Sequence, residues 1–175
     1  MLLNYLAGDR LIENWDGIMA WYCPGACCFN HNYLWYEASD RDFVWLVPWD
    51  MDNTFQWPAF VRENYGMPDW DEIPSLCDPI PIFLGIDGRP PACDKLIRGM
   101  STVLWDRYVA ATEQQLAGNF QIAALDARMD RLAGIIQAAV TEDPNGPSVP
   151  MWQAAVQRAK DNAVQIRAYV VSKLP

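Results

Sequence analysis

The chain has 175 residues, 51% hydrophobic and 20% charged, which is enough to bury a core and too apolar for a disordered segment. Thirteen Lys and Arg stand against 22 Asp and Glu, a net charge of −9, and the lysines are Lys95, Lys160 and Lys173. No basic stripe is left for nucleic acid, and no run approaches the ~18 apolar residues of a membrane span. The acidity suits carboxylates that hold divalent cations.

In chain order, Leu2, Leu3, Leu6, Leu11 and Ile12 predict a helix ending between Asn14 and Gly17. It has no basic n-region and no small-residue cleavage site, so it is not read as a signal peptide. Residues 17–30 form a loop punctuated by Pro24 and Gly25. Residues 31–37 and 43–49, aromatic and β-branched, read as two strands joined by a polar turn. This is a β-hairpin whose second strand stops at Pro48. From Asp50 to Cys93 the chain reads as an irregular, proline-rich loop. Three helical stripes follow. Ile97 to Ala111, Leu125 to Ala139 and Trp152 to Val170 carry apolar residues at steps of three and four, read as packing faces. The whole is read as a single partial domain: a helix and hairpin over 1–56, a loop over 57–94 and a helical bundle over 95–175.

The five cysteines fall as Cys23, Cys27 and Cys28 in one loop, and Cys77 and Cys93 around a Pro/Gly-rich stretch. Two disulfides and one free thiol fit an oxidising compartment, with reduced cysteines as the alternative. Cys77 and Cys93 would tie the long loop. A zinc reading of Cys23, Cys27 and His31 lacks a fourth ligand nearby.

Three elements carry the chemistry. Asp50 and Asp52 sit two apart at a strand end, where such carboxylates share a face and converge on a hard cation. A calcium EF-hand is excluded, because Phe55 and Val61 occupy the positions of its Gly and Glu. The plain alternative is a solvated turn. Asn14-Trp15-Asp16-Gly17 places an Asp beside a Gly at the helix end, which alone reads as a helix boundary. Asn30-His31-Asn32-Tyr33 opens the hairpin; Asn32 offers an oxygen to a metal, while His31, the single histidine, reads more readily as structural. Asp, loop, Asn, hairpin, Asp is the order of a protein-kinase catalytic loop and metal-binding segment. His-Arg-Asp and Asp-Phe-Gly are absent, which excludes a standard eukaryotic-type kinase.

The hairpin run, His31-Asn32-Tyr33-Leu34-Trp35-Tyr36 and then Pro48-Trp49-Asp50-Met51-Asp52-Asn53-Thr54-Phe55, resembles the CotH kinase family of atypical, secretory-pathway-like kinases. Trp, Asp, Asp and Phe fall in register, and the likeness by motif spans roughly residues 4–56. The resemblance implies an α+β fold: a mostly helical large lobe of an atypical kinase-like fold, with the hairpin carrying the metal motif and a C-terminal three-helix region. It implies Asp16 as the catalytic carboxylate that engages the acceptor hydroxyl. Asn32 would support metal or phosphate, Asp50 would be the main metal ligand and Asp52 a second, with Phe55 packed beneath. The implied cofactors are Mg²⁺ or Mn²⁺ with ATP, the partner a protein with Ser or Thr acceptors, and the location extracytoplasmic or secreted.

Three departures accompany it. Gln56 replaces the Gly expected after Phe55, and the loop between Asp16 and His31 is long and carries the cysteine cluster. No Lys and no Gly-rich loop precede Asp16, so the chain reads as the large-lobe portion of a kinase, expected to be weakly active or inactive alone. The alternative is a non-catalytic surface or coat-assembly module whose Trp-rich half forms an apolar recognition surface. A third reading is a disulfide-stabilised carbohydrate binder with Trp57 and Trp70 as platforms.

Overall fold

The computed structural model describes residues 2–25, 27–40, 42–56, 77–83 and 85–175. Trp57 and Trp70 therefore lie outside the described residues.

The first helix, α1 (Leu2–Leu11), is the spine of the molecule. Its Leu6 and Ala7 join Ile18, Met19, Ile97, Met100, Tyr108 and Ala111 in one buried cluster, and its Leu11 joins Leu116, Ile166 and Val170 in a second. The short strand β1 (Tyr22–Cys23) follows, then the hairpin of β2 (Tyr33–Glu37) and β3 (Val44–Pro48). Their antiparallel register pairs Tyr33 with Pro48 and Glu37 with Val44, within the hairpin that the aromatic and β-branched runs predict. Tyr33 and Leu46, on one face, pack against the first cluster. Leu34, Tyr36, Phe43, Val47 and Trp49, on the other, are exposed.

The remaining elements are β4 (Ile80–Phe83), β5 (Ile86–Gly88), a 3₁₀ turn at Pro91–Cys93, α2 (Lys95–Val103), α3 (Trp105–Ala117), α4 (Ile122–Glu142) and α5 (Val149–Ser172). Asp94 caps α2, its carboxylate accepting from the amides of Leu96 and Ile97. Helices and small antiparallel sheets make this a mixed architecture compatible with α+β. Among the described residues, no helix is long and apolar enough to cross a membrane.

Three expectations are corrected. The stretch before Cys93 is not irregular throughout: β4 and β5 form a hairpin over Gly85, at φ +77°, and β5 also pairs with β1. These strands are two to four residues long, too short to show a period, and Pro81 is tolerated because β4 lies at the sheet edge. The C-terminal region has four helices rather than three. Its first stripe breaks at Leu104, after Thr102 Oγ1 turns back onto the carbonyls of Arg98 and Gly99, a contact that bends helices. The α4 stripe is only partly a packing face. Leu125 is buried, but Leu132 and Ile136 are 51% and 48% exposed, because α4 packs chiefly on α5.

Two disulfides form: Cys77–Cys93, the tie expected of the long loop, and Cys23–Cys28, a pairing the sequence left open, leaving Cys27 free and exposed. The Cys23–Cys28 bond consumes the thiol that a zinc site would need.

Candidate functional site

The loop bearing Asp16 starts where α1 stops. Glu13 takes a left-handed φ of +46°, where glycine is usual, and the last turn closes with two bonds. The Asn14 amide reaches back to the Asp9 carbonyl at 3.1 Å, and the Glu13 amide to that of Arg10 at 3.1 Å. Asn14 then folds its side chain inward: Nδ2 donates to Asp9 Oδ1 at 2.8 Å, while Oδ1 accepts from the Asp16 amide at 3.3 Å. This Asx-type turn fixes the Asp16 backbone.

The Asp16 side chain is 17% exposed and has three partners. Asn53 Nδ2 donates to Oδ2 at 2.5 Å, and the Tyr22 hydroxyl lies 3.2 Å from Oδ1. His31 Nε2 is 3.5 Å from the same oxygen. Tyr22 has one hydroxyl hydrogen, shared with the nearer Trp15 carbonyl at 2.5 Å. Burial, followed by the neighbouring Asp16 charge, pushes the Tyr22 phenol up, so it remains a donor. The rings of Tyr22 and Phe29 meet His31 edge-on, and these residues flank the loop closed by Cys23–Cys28.

The second half of the site is the turn after β3. Asp50 takes φ +50° and Phe55 φ +56°, two left-handed residues without glycine. Asn32, itself at φ +59° and buried, fixes the turn's start: its carbonyl accepts from the Trp49 amide at 3.1 Å and its Nδ2 donates to the Asp50 carbonyl at 3.3 Å. The far end is tied to the Asp16 loop. The Trp15 amide donates to the Asn53 carbonyl at 3.0 Å, and the Phe55 amide to the Ile12 carbonyl at 2.7 Å. Phe55 packs on the second core cluster, and Asn162 of α5 donates to its carbonyl at 2.6 Å.

The sequence-predicted residues thus meet as two joined loops. Asp16 touches the 50–55 turn through Asn53, and Asn32 touches it through the Asp50 backbone. Asp50 and Asp52 are exposed, without side-chain partners among the described residues. Among the described residues, no three His, Cys, Asp or Glu side chains cluster so as to hold a metal ion. Exposed carboxylates are hard oxygen donors, the kind that divalent cations such as magnesium take beside substrate phosphates.

Sequence reasoning missed Asn53, Tyr22, Asp9 and Glu13. Asn53 lay inside the hairpin motif, directly after Asp52, and its amide suits an acceptor carboxylate. Tyr22 and Asp9 had no local signal, since only the fold brings them to the loop. Gln56, the departure from the expected Gly, donates to Asn53 Oδ1 at 3.0 Å and so braces the residue that holds Asp16.

No curated protein and no solved structure matches the chain. The family model described as CotH kinase protein matches residues 1–173, nearly its whole length. The two joined loops therefore sit in a chain that belongs to the CotH kinase protein family.

Proposed function

We propose that the protein transfers the γ-phosphoryl group of ATP to Ser or Thr hydroxyls of a protein substrate, with Asp16 as the catalytic carboxylate. The observation that supports this reading is the bond from Asn53 to Asp16, which joins the acceptor-side carboxylate to the Asp50–Asp52 turn. In this reading Asp16 accepts the hydroxyl proton as the new oxygen–phosphorus bond forms and the bond to the β-phosphate oxygen breaks, leaving ADP. Tyr22, His31 and Asn53 hold the carboxylate in place. Asp50, Asp52 and Asn32 would hold Mg²⁺ or Mn²⁺, which when bound neutralises phosphate charge. The two disulfides support an extracytoplasmic location, where such bonds persist.

The test is Asp16→Asn and Asp50→Asn in the full-length gene product, measuring transfer of labelled γ-phosphate to itself and to a generic protein acceptor. Loss of about 100-fold or more in both is expected. Unchanged transfer would sink the reading.

One observation favours a second reading, a binding module for surface or coat assembly. The outer hairpin face exposes Leu34, Tyr36, Phe43, Val47 and Trp49 together. That reading is preferred if partner capture survives both Asp substitutions and fails on Tyr36→Ser with Trp49→Ser.

A further inference from the structure

Asp9 is 4% exposed on the last turns of α1, and the mechanism above leaves it without a task. Its carbonyl and its Oδ1 both hold Asn14, whose own oxygen receives the Asp16 amide. Gly17 closes over the pair. A Cβ there would lie 2.5 Å from Asn14 Nδ2 and 2.7 and 2.9 Å from the two Asp9 oxygens, so the loop backbone is seated directly on the carboxylate. The Tyr5 phenol lies close enough to act on the Asp9 carboxyl, and among the described residues neither its hydroxyl nor Asp9 Oδ2, both buried, makes a full hydrogen bond.

We propose that Asp9 is the positioning residue for Asp16: as a carboxylate it locks Asn14, and through it the Asp16–Gly17 backbone, and on protonation it loosens that hold. The inference rests on reading Asp16 as the catalytic carboxylate. An ionised acceptor makes a shorter and stronger hydrogen bond than a neutral one, which gives the two protonation states different grips on Asn14. Burial pushes the Asp9 carboxyl up to about 7, against the pull of the Asn14 bond and the nearby Tyr5 hydroxyl, so the change falls near neutrality. Of the charged groups facing it, Glu13 adds to the rise and Arg10 opposes it, while those two pair with each other at 3.5 Å. Tyr33, on β2, acts on the Tyr5 phenol. Asp9 touches no reacting atom in this scheme and acts only through Asn14.

The experiment follows the Asn14 side-chain amide and the Asp16 backbone amide by NMR from roughly pH 5 to roughly pH 9. In the wild type both signals are expected to move in one transition near 7. Asp9→Asn, which keeps the shape and fixes the neutral state, should hold both at their low-pH positions throughout. Asn14→Ala should remove the transition from Asp16 alone. An Asp16 amide that does not titrate, or that titrates unchanged in Asp9→Asn, overturns the proposal. In the full-length gene product, kcat for phosphoryl transfer should rise several-fold over the same range with KM for ATP unchanged, and be flat in Asp9→Asn. A kcat profile that Asp9→Asn leaves unaltered overturns the positioning role and leaves the kinase reading standing. Absence of transfer from the wild type, with the coupled amide transition intact, defeats the kinase reading and supports Asp9 as the anchor of the Asp16 loop.

Discussion

The two halves of the candidate site are built on opposite plans. Asp16 is mostly buried and held by three side chains, with its backbone braced from the helix core. Asp50 and Asp52 stand in solvent, and the turn that carries them is fixed by its backbone and by Asn32, Asn53 and Phe55, not by the two carboxylates. A carboxylate that receives a proton gains from preorganisation, because a fixed group spends nothing on reorienting during reaction. Carboxylates that share a cation with phosphate gain from open coordination positions. The difference teaches where substitutions should be felt through the fold and where only through a ligand.

The largest stability effect should come from Asp9. Its folded-state carboxyl lies near 7, above the ordinary 3.8, so the folded protein binds more protons than the unfolded one between those values. The linked cost of ionising it is absent below about pH 4, grows as pH rises, and is complete above 7. Urea midpoints of wild type and Asp9→Asn should therefore agree at about pH 4 and diverge with rising pH. The variant should end more stable by an amount on the order of a few kcal/mol. Parallel curves would show that the carboxylate is not the costly anchor described here. A gain in stability with a slower reaction is the expected trade at a functional site.

Next comes Gly17→Ala. The added methyl meets the Asp9–Asn14 pair well inside contact distance, and overpacking of this kind costs about 1–3 kcal/mol, read as a lower urea midpoint. If the variant is as stable as wild type, the loop is not seated on that carboxylate. The smallest effect belongs to the open half. Asp52→Asn, without nucleotide, should change stability by less than about 0.5 kcal/mol, as surface substitutions do. A larger loss would mean that the Asp52 carboxylate itself holds the turn.

The readable parts of this molecule are those whose physics is local. Aromatic and β-branched density marked the hairpin, three–four spacing marked the helices, and the Asp–Asn–Asp order marked the loops that do meet. What stayed hidden depends on the chain's path. Glu13 adopts a conformation that its side chain disfavours, and His31 reaches Asp16 only after the loop closed by Cys23–Cys28 brings the chain back beside Tyr22. The sheet of β1, β5 and β4 joins residues more than sixty positions apart through strands too short to announce themselves. The α4 stripe misled in the other direction, since periodicity records an apolar face without recording whether anything covers it.

Phe55 is the keel of the aspartate turn, and it rests on a cluster that α5 completes: Leu11 of α1 and Leu116 of α3 with Ile166 and Val170 of α5, while Asn162 of α5 holds its carbonyl. Proteolytic trimming within α5 would therefore unmoor a turn more than a hundred residues upstream. For anyone designing a shorter expression boundary, the last helix counts as part of the site.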